Sequence, residues 1–284
     1  MNRLNPLNDY IFKRVMGEEE SKDNLISFLN AVLDTDDRKK LVSLEIIDNK
    51  ELTKEMIYDK TGRLDIKAKT ADGMRLDIEV QLTNQHNMEK RTMFYWGKLF
   101  LEGIKSGDEY INLSKVITIN LLDFDYLDIE RFHSKYHLWE DTEESYLLTD
   151  LIEVHFIEMP KFRRYKGKDL KSNALHRWLT FFDDMLSEEE LKELMKMDSA
   201  IKRAEVKLEH LSSDRKTIEL YNARQDSLHE RANMISSAKT EGRMEERVEV
   251  AKKLLTLNVP ISVVSESTGL TLEQIEEIEK SLKN

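Results

Sequence analysis

Two short runs hold the residue types and spacing that could do chemistry. They are Arg63-Leu64-Asp65-Ile66-Lys67-Ala68-Lys69 and Arg75-Leu76-Asp77-Ile78-Glu79-Val80-Gln81-Leu82. Polar and apolar residues alternate with period two in both. Each run therefore predicts a β-strand with one buried face and one polar face. Leu64, Ile66, Ala68, Leu76, Ile78, Val80 and Leu82 make the apolar faces. Asp65, Asp77, Glu79 and Gln81 share the opposite faces with Arg63, Lys67, Lys69 and Arg75. Carboxylates crowded on a surface backed by an apolar layer can hold a metal ion.

The connection Thr70-Ala71-Asp72-Gly73-Met74 decides which carboxylates meet. A two-residue Asp72-Gly73 turn would set Asp65 opposite Val80 and put an acid on the apolar side. A three-residue loop, Ala71-Asp72-Gly73, with Gly73 left-handed in a bulge, pairs Thr70 with Met74 instead. Lys67 then faces Asp77, Asp65 faces Glu79 and Arg63 faces Gln81. Opposed Cβ atoms lie about 5 Å apart. Two carboxylates that close repel unless a proton or a cation sits between them. A hard divalent cation with oxygen ligands is the natural occupant.

The neighbouring elements must position this hairpin. A helix is predicted over 21–33 with Ser21 as N-cap, then a strand over 41–48. After the hairpin comes a helix over 87–104, with Met93, Phe94, Trp96 and Phe100 available for burial, and an apolar strand over 113–122. The order α-β-β-β-α-β predicts an α/β layer. Strands over 133–139 and 151–159, joined by an acidic loop, extend the sheet or form an appended hairpin. His133 and His137 share a strand face, but no third ligand type accompanies them, so a zinc site is not expected. Beyond Lys171 the chain is helical in character. Ser187 and Glu190 have capping-box spacing, and the charged stretch 198–247 predicts a solvated helix or helical pair. Short helix 261–268, a turn at Gly269 and a helix over 272–282 capped by Thr271 make a helix-turn-helix-like end. Glu273, Glu276, Glu277 and Glu279 on its second helix favour packing or self-association over DNA reading.

Composition bounds the functional classes. Only 9 Gly and 3 Pro in 284 residues argue against a loop-rich all-β fold, and 40% apolar content supports a sizeable core. The absence of Cys excludes disulfides and thiolate zinc sites and fits a reducing compartment. No apolar stretch in the first ten residues suggests a secretory signal, and no apolar run nears the roughly 20 residues that span a bilayer. A cytoplasmic protein without a membrane association is expected. The net charge of −11 opposes strong non-specific nucleic-acid binding by a basic surface. Charge is nearly balanced over the first hundred residues, however. Lys13, Arg14, Lys67, Lys69, Lys90, Arg91 and Lys98 could form a local basic patch there.

The hairpin resembles that of the PD-(D/E)XK nuclease superfamily, in which an acid on one strand and a (D/E)-x-K motif on the next bind a catalytic cation. Asp65 matches the first acid and Glu79-Val80-Gln81 the motif, with Gln81 in place of the lysine. That variant, the opening Leu7-Asn8-Asp9-Tyr10-Ile11-Phe12-Lys13-Arg14-Val15-Met16-Gly17, and Arg91-Thr92-Met93-Phe94-Tyr95-Trp96 after the hairpin are similar to the recombination-promoting nucleases, also called PD-(D/E)XK nuclease family transposases. The likeness covers roughly residues 5 to 160 and, more loosely, the helical tail.

The resemblance implies a mixed four-stranded sheet with flanking helices and, here, an all-α C-terminal region. The chain would divide into a nuclease-like domain over 1–165, a helical region over 166–246 and a small helix-turn-helix-like segment over 247–284. It implies a metal-dependent DNA endonuclease linked to recombination, mobile elements or defence. Mg²⁺, with Mn²⁺ or Ca²⁺ as alternatives, would be held by Asp65, Glu79 and the Val80 carbonyl. Asp65, Glu79 and Gln81 would be the catalytic set, with Gln81 positioning water or phosphate. Asp9 is a candidate third carboxylate. Lys13, Arg91, Tyr95 and Lys98 are auxiliary candidates, and Lys98 or Lys67 could replace the missing lysine. The competing reading is a catalytically degenerate module that binds nucleic acid or protein, favoured by Gln81 and the acidic charge. Nothing resembles a DDE triad, so strand transfer is not expected. Homo-oligomers through the C-terminal helices are a further expectation.

Overall fold

A computed structural model describes residues 3–34, 40–47, 65–143 and 145–283. Helix α1 (Asp9–Met16) starts where the Asn8 side chain accepts hydrogen bonds from the Tyr10 and Ile11 backbone N–H groups. This satisfies two donors that a helix start otherwise leaves open. Helix α2 (Lys22–Leu33) has Ser21 at its N-cap position, but the serine side chain makes no capping bond. Leu25, Phe28, Leu29 and Val32 supply its buried stripe. Of the strand expected over 41–48, only β1 (Glu45–Ile46) forms among the described residues, and Asp48 lies outside them.

Strands β2 (Ile66–Lys69) and β3 (Arg75–Gln81) form the hairpin. Their register pairs Ile66 with Ile78, Lys67 with Asp77, Ala68 with Leu76 and Lys69 with Arg75. The Thr70 N–H donates to the Met74 carbonyl at 2.9 Å, and Gly73 has φ 93°. The three-residue loop is therefore the one adopted. A Cβ at Gly73 would also lie 2.7 Å from Ser114 Oγ, so backbone conformation and space both call for glycine there. Arg63 and Leu64 lie outside the described residues.

Helix α3 (Met88–Leu101), β4 (Val116–Leu122), β5 (His133–Trp139) and β6 (Leu147–Glu158) follow. The sheet has six strands in the order β1-β2-β3-β4-β6-β5, which corrects the expected four. The correction has a simple source. Residues 152–158 of β6 pair in parallel along the whole length of β4, and β5 returns antiparallel on the outer edge. The β5–β6 hairpin thus extends the sheet rather than standing apart. β3 and β4 also run parallel, so the sheet is mixed and the layer is α/β.

One sheet face is apolar. Ile66, Ala68, Leu76, Ile78, Val80, Ile117, Ile119 and Leu121 join a core with Phe12 and Phe28 from the first two helices. Full burial of such side chains stabilises by about 1.5–3 kcal/mol each. Every described element after Glu158 is helical: α4 (Met159–Arg164), α5 (Ala174–Phe182), α6 (Glu188–Met197), α7 (Ser199–Ser213), α8 (Arg215–Thr256), α9 (Ile261–Thr268) and α10 (Leu272–Lys283). Helix α5 seals the core with Trp178, Phe181 and Phe182, and Phe28 meets Trp178 and Phe182 edge-on. Ser187 and Glu190 make both bonds of a capping box on α6.

The chain forms two compact units, Met1–Leu228 and His229–Asn284. The second has its own small core of Ala251, Val264, Leu270 and Ile275. Gly269 turns at φ 67° between α9 and α10, and Thr271 Oγ1 accepts from the Gln274 N–H at 3.3 Å. Glu273, Glu276 and Glu277 are exposed.

Candidate active site

Register fixes what shares the other face of the sheet. Asp77, Glu79 and Gln81 of β3 lie beside Thr118, Asn120 and Leu122 of β4. Both strands are central, and α3 packs over this polar face. The packing changes which side of α3 is buried. Met88, Arg91, Thr92 and Leu99 point inward, whereas Met93 and Phe94 are exposed. Trp96 and Phe100 are half-buried and stack on each other with centroids 4.9 Å apart. The expectation of aromatic burial along this helix is thus corrected. A helix lying on carboxylates and amides turns its cation and hydroxyl toward them.

Arg91 forms a buried ion pair with Glu79, the two side chains being 6% and 5% exposed. Gln81 Nε2 donates to Glu79 Oε1 at 3.2 Å. A buried carboxylate needs such partners, because an uncompensated charge in a low-dielectric site is strongly disfavoured. Thr92 Oγ1 donates to Asn120 Oδ1 at 2.9 Å, and Asn120 Nδ2 donates to the His155 carbonyl at 3.0 Å. Asn120 is the register partner of Glu79. It therefore ties α3 to β6 and fixes the height at which Arg91 meets Glu79. The sequence signal for this pin was the polar pair Thr118 and Asn120, spaced by two inside an otherwise apolar strand.

The remaining candidates fall in different places. Asp65 is half-buried and stands one residue beyond the last registered pair of the hairpin. Continuing the register by one step sets it opposite Glu79. Asp77 is buried and faces Lys67, which is half-buried. The Val80 side chain belongs to the main core. Lys13 is buried on α1, Tyr95 is half-buried edge-on to Phe94, and Lys98 is exposed. Asp9 meets a partner that sequence reasoning did not name. Arg224 of α8 grips it with Nε at 3.0 Å from Oδ1 and Nη2 at 2.6 Å from Oδ2. Asp9 also opens α1, where the helix dipole favours a carboxylate.

Among the described residues no group of three or more His, Asp or Glu side chains is disposed to hold a metal ion. Mg²⁺ does not need one. It is commonly bound through one or two carboxylates, with water and substrate phosphate completing the shell. The oxygen donors of Asp65, Glu79 and the Val80 carbonyl suit that chemistry, and Glu79 already attracts a cation in the form of Arg91.

A second polar cluster lies on β5 and β6. His155 Nε2 lies 2.7 Å from Glu153 Oε1, His137 Nε2 lies 3.2 Å from Glu153 Oε2, and His133 Nε2 lies 2.8 Å from His155 Nδ1. Lys115 Nζ also meets Glu153, at 2.5 Å. Burial, and then the neighbouring His155, push His133 down to about 4. Burial works against ionised Glu153, yet hydrogen bonds from His155 and Lys115 hold its carboxyl well below the usual range. Glu153 and His155 thus connect His133 to His137.

An acidic antiparallel hairpin beside a parallel strand, in a mixed sheet flanked by helices, is the frame of a PD-(D/E)XK-type nuclease fold. The profile of the PD-(D/E)XK nuclease family transposases matches residues 6–238, and the chain belongs to that family. No curated protein and no solved structure matches it. The matched span includes all six strands and α1 through the first half of α8. No described helix is long and apolar enough to cross a membrane.

Proposed function

We propose that the chain is a divalent-metal-dependent DNA endonuclease of the cytoplasm, acting in recombination, mobile-element biology or defence. The observation that carries the reading is Glu79, a buried acid on the sheet's polar face in contact with both Arg91 and Gln81. Asp65, one residue beyond the last registered pair, would share that face. Asp65, Glu79 and the Val80 carbonyl would hold Mg²⁺, with Mn²⁺ or Ca²⁺ as substitutes. The bound ion supplies polarisation of the phosphoryl oxygen and a more acidic water.

The chain's own residues do the rest. Gln81 carries no charge and cannot act as a base, but its amide can orient water or a phosphate oxygen. Arg91 brings the permanent positive charge that the motif lacks, and its fork suits a phosphate. Arg91 is therefore the chief candidate for the missing lysine, ahead of exposed Lys98 and of Lys67, which faces Asp77. Tyr95 lies one turn along α3 from Arg91 and would assist from there. Asp9 and Lys13 act from α1 as supports, Asp9 through its grip on Arg224. The exposed glutamates of α10 suit self-association better than DNA contact.

Plasmid cleavage with Mg²⁺, Mn²⁺, Ca²⁺ or EDTA tests the proposal. Wild type should cut only with metal, and Asp65→Ala and Glu79→Ala should each abolish cutting while remaining folded. The internal Arg91–Glu79 pair also favours a second reading, a module whose site is already neutralised and which binds nucleic acid or protein without cutting. Folded wild type that cuts in no metal would select that reading.

A further inference from the structure

The face that carries Glu79 runs on across the sheet into an apolar groove of about 360 Å³, bounded by α3 and β5. Met93, Tyr136, Leu138, Ile152, Val154 and Phe156 line it. Register gives its distance from the site. Glu79 pairs with Asn120, and Asn120 with Phe156. Neighbouring strands lie about 4.8 Å apart, so the Phe156 backbone stands about 10 Å from that of Glu79. At a stacked rise of about 3.4 Å per nucleotide, that is roughly three nucleotides, and fewer on an extended strand. Thr92 joins the two regions, since it lines the groove and bonds Asn120.

The groove's chemistry rejects a phosphate backbone. None of its lining residues is Lys or Arg, and Glu89 stands among them. It offers instead a surface that is mainly apolar and aromatic, with Glu89 as its one acidic residue. Tyr136 is 43% exposed and meets Phe156 edge-on at 80°, which leaves ring surface open. The polar groups around it are already engaged, Glu89 with the Tyr126 hydroxyl and His137 with Glu153. A guest would therefore be held by stacking rather than read by hydrogen bonds. Stacking of bases on aromatic side chains is tolerant of sequence because every base has a π-face.

We propose that the groove takes an unpaired nucleobase of the strand that crosses Glu79, so that the site favours single-stranded or locally opened DNA over intact duplex. The inference rests on the nuclease reading of that face, but its binding step can be measured without cleavage. The probe is a single-stranded oligonucleotide carrying 2-aminopurine, titrated with the full chain in EDTA and then cut in Mg²⁺. Stacking should quench the fluorescence with wild type and with Tyr136→Phe. Tyr136→Ala should bind about tenfold more weakly, equivalent to about 1.4 kcal/mol, and lose part of its preference for single strands. Quenching by wild type with no cutting in any metal would sink the nuclease reading and leave the groove assignment standing. Metal-dependent cutting, with quenching absent or unchanged in folded Tyr136→Ala, would overturn the groove and leave the nuclease. A dimer in sedimentation that Tyr136→Ala splits, without quenching, would assign the groove to a second copy of the chain and overturn the proposal.

Discussion

Arg91→Met asks whether the Glu79 site is built to hold a cation. The methionine keeps most of the side chain's length and its packing stem, and removes the charge. Glu79 would remain buried with Gln81 as its neutral donor. Removing one partner of a buried ion pair typically destabilises by 3–5 kcal/mol, and the retained amide bond offsets about 1 kcal/mol. A loss of about 3 kcal/mol is therefore expected in EDTA, read as a lower urea midpoint with an unchanged slope. The informative step is to repeat the titration in Mg²⁺. An ion at 100 times its Kd stabilises the folded state by about 2.7 kcal/mol, so metal should recover most of the loss. It should stabilise wild type less, because Arg91 competes for the same carboxylate. Equal destabilisation of Arg91→Met with and without Mg²⁺, Mn²⁺ or Ca²⁺ would refute the reasoning. So would full stability in EDTA, which would show that the ion pair is not what keeps Glu79 buried.

Other substitutions test the frame. Asn120→Ala should leave the Thr92 hydroxyl and the His155 carbonyl without their shared partner and cost about 2–4 kcal/mol; an unfolding free energy within about 0.5 kcal/mol of wild type, the size of a neutral surface change, would show that Asn120 does not pin α3 to β6. Gly73→Ala should cost about 1–2 kcal/mol through its positive φ, and combining it with Ser114→Ala should recover only the part due to contact. Stability should fall as pH drops from 6.5 toward 4. Over that window the unfolded His133 takes a proton that the folded one, held at about 4, refuses. The linked loss is about 3 kcal/mol at most from this group, and His155, also shifted down by burial, adds in the same direction. The gap between urea midpoints at pH 7 and 4.5 should narrow in His133→Gln, His155 keeping the remainder; an undiminished pH dependence would shift the effect to other groups.

The hairpin was legible because its constraints are local. Period two assigned the faces, and only one loop length kept acids off the core, so Lys67 opposite Asp77 followed from sequence alone. Ser187 and Glu190 were legible for the same reason, being three residues apart in one turn. The orientation of α3 was not. Its aromatic residues suggested burial, but the surface it covers is polar, and that is a property of β3 and β4 rather than of the helix. The Asp9–Arg224 pair carries no local signal at all, since nothing near either residue marks the other. Sheet extension by β5 and β6 lay between these cases. The strands were readable, but whether they joined the sheet depended on the parallel pairing with β4.

That distant pair has a consequence for synthesis. Asp9 and Arg224 are 215 residues apart, and ribosomes add about 5–20 residues per second. For roughly 10–40 s after Asp9 is made, its carboxylate has no Arg224 to bury against. The first helix can therefore gain its ion pair to Arg224 only after nearly the whole unit has been translated, so a chain truncated before Arg224 would lack that clasp.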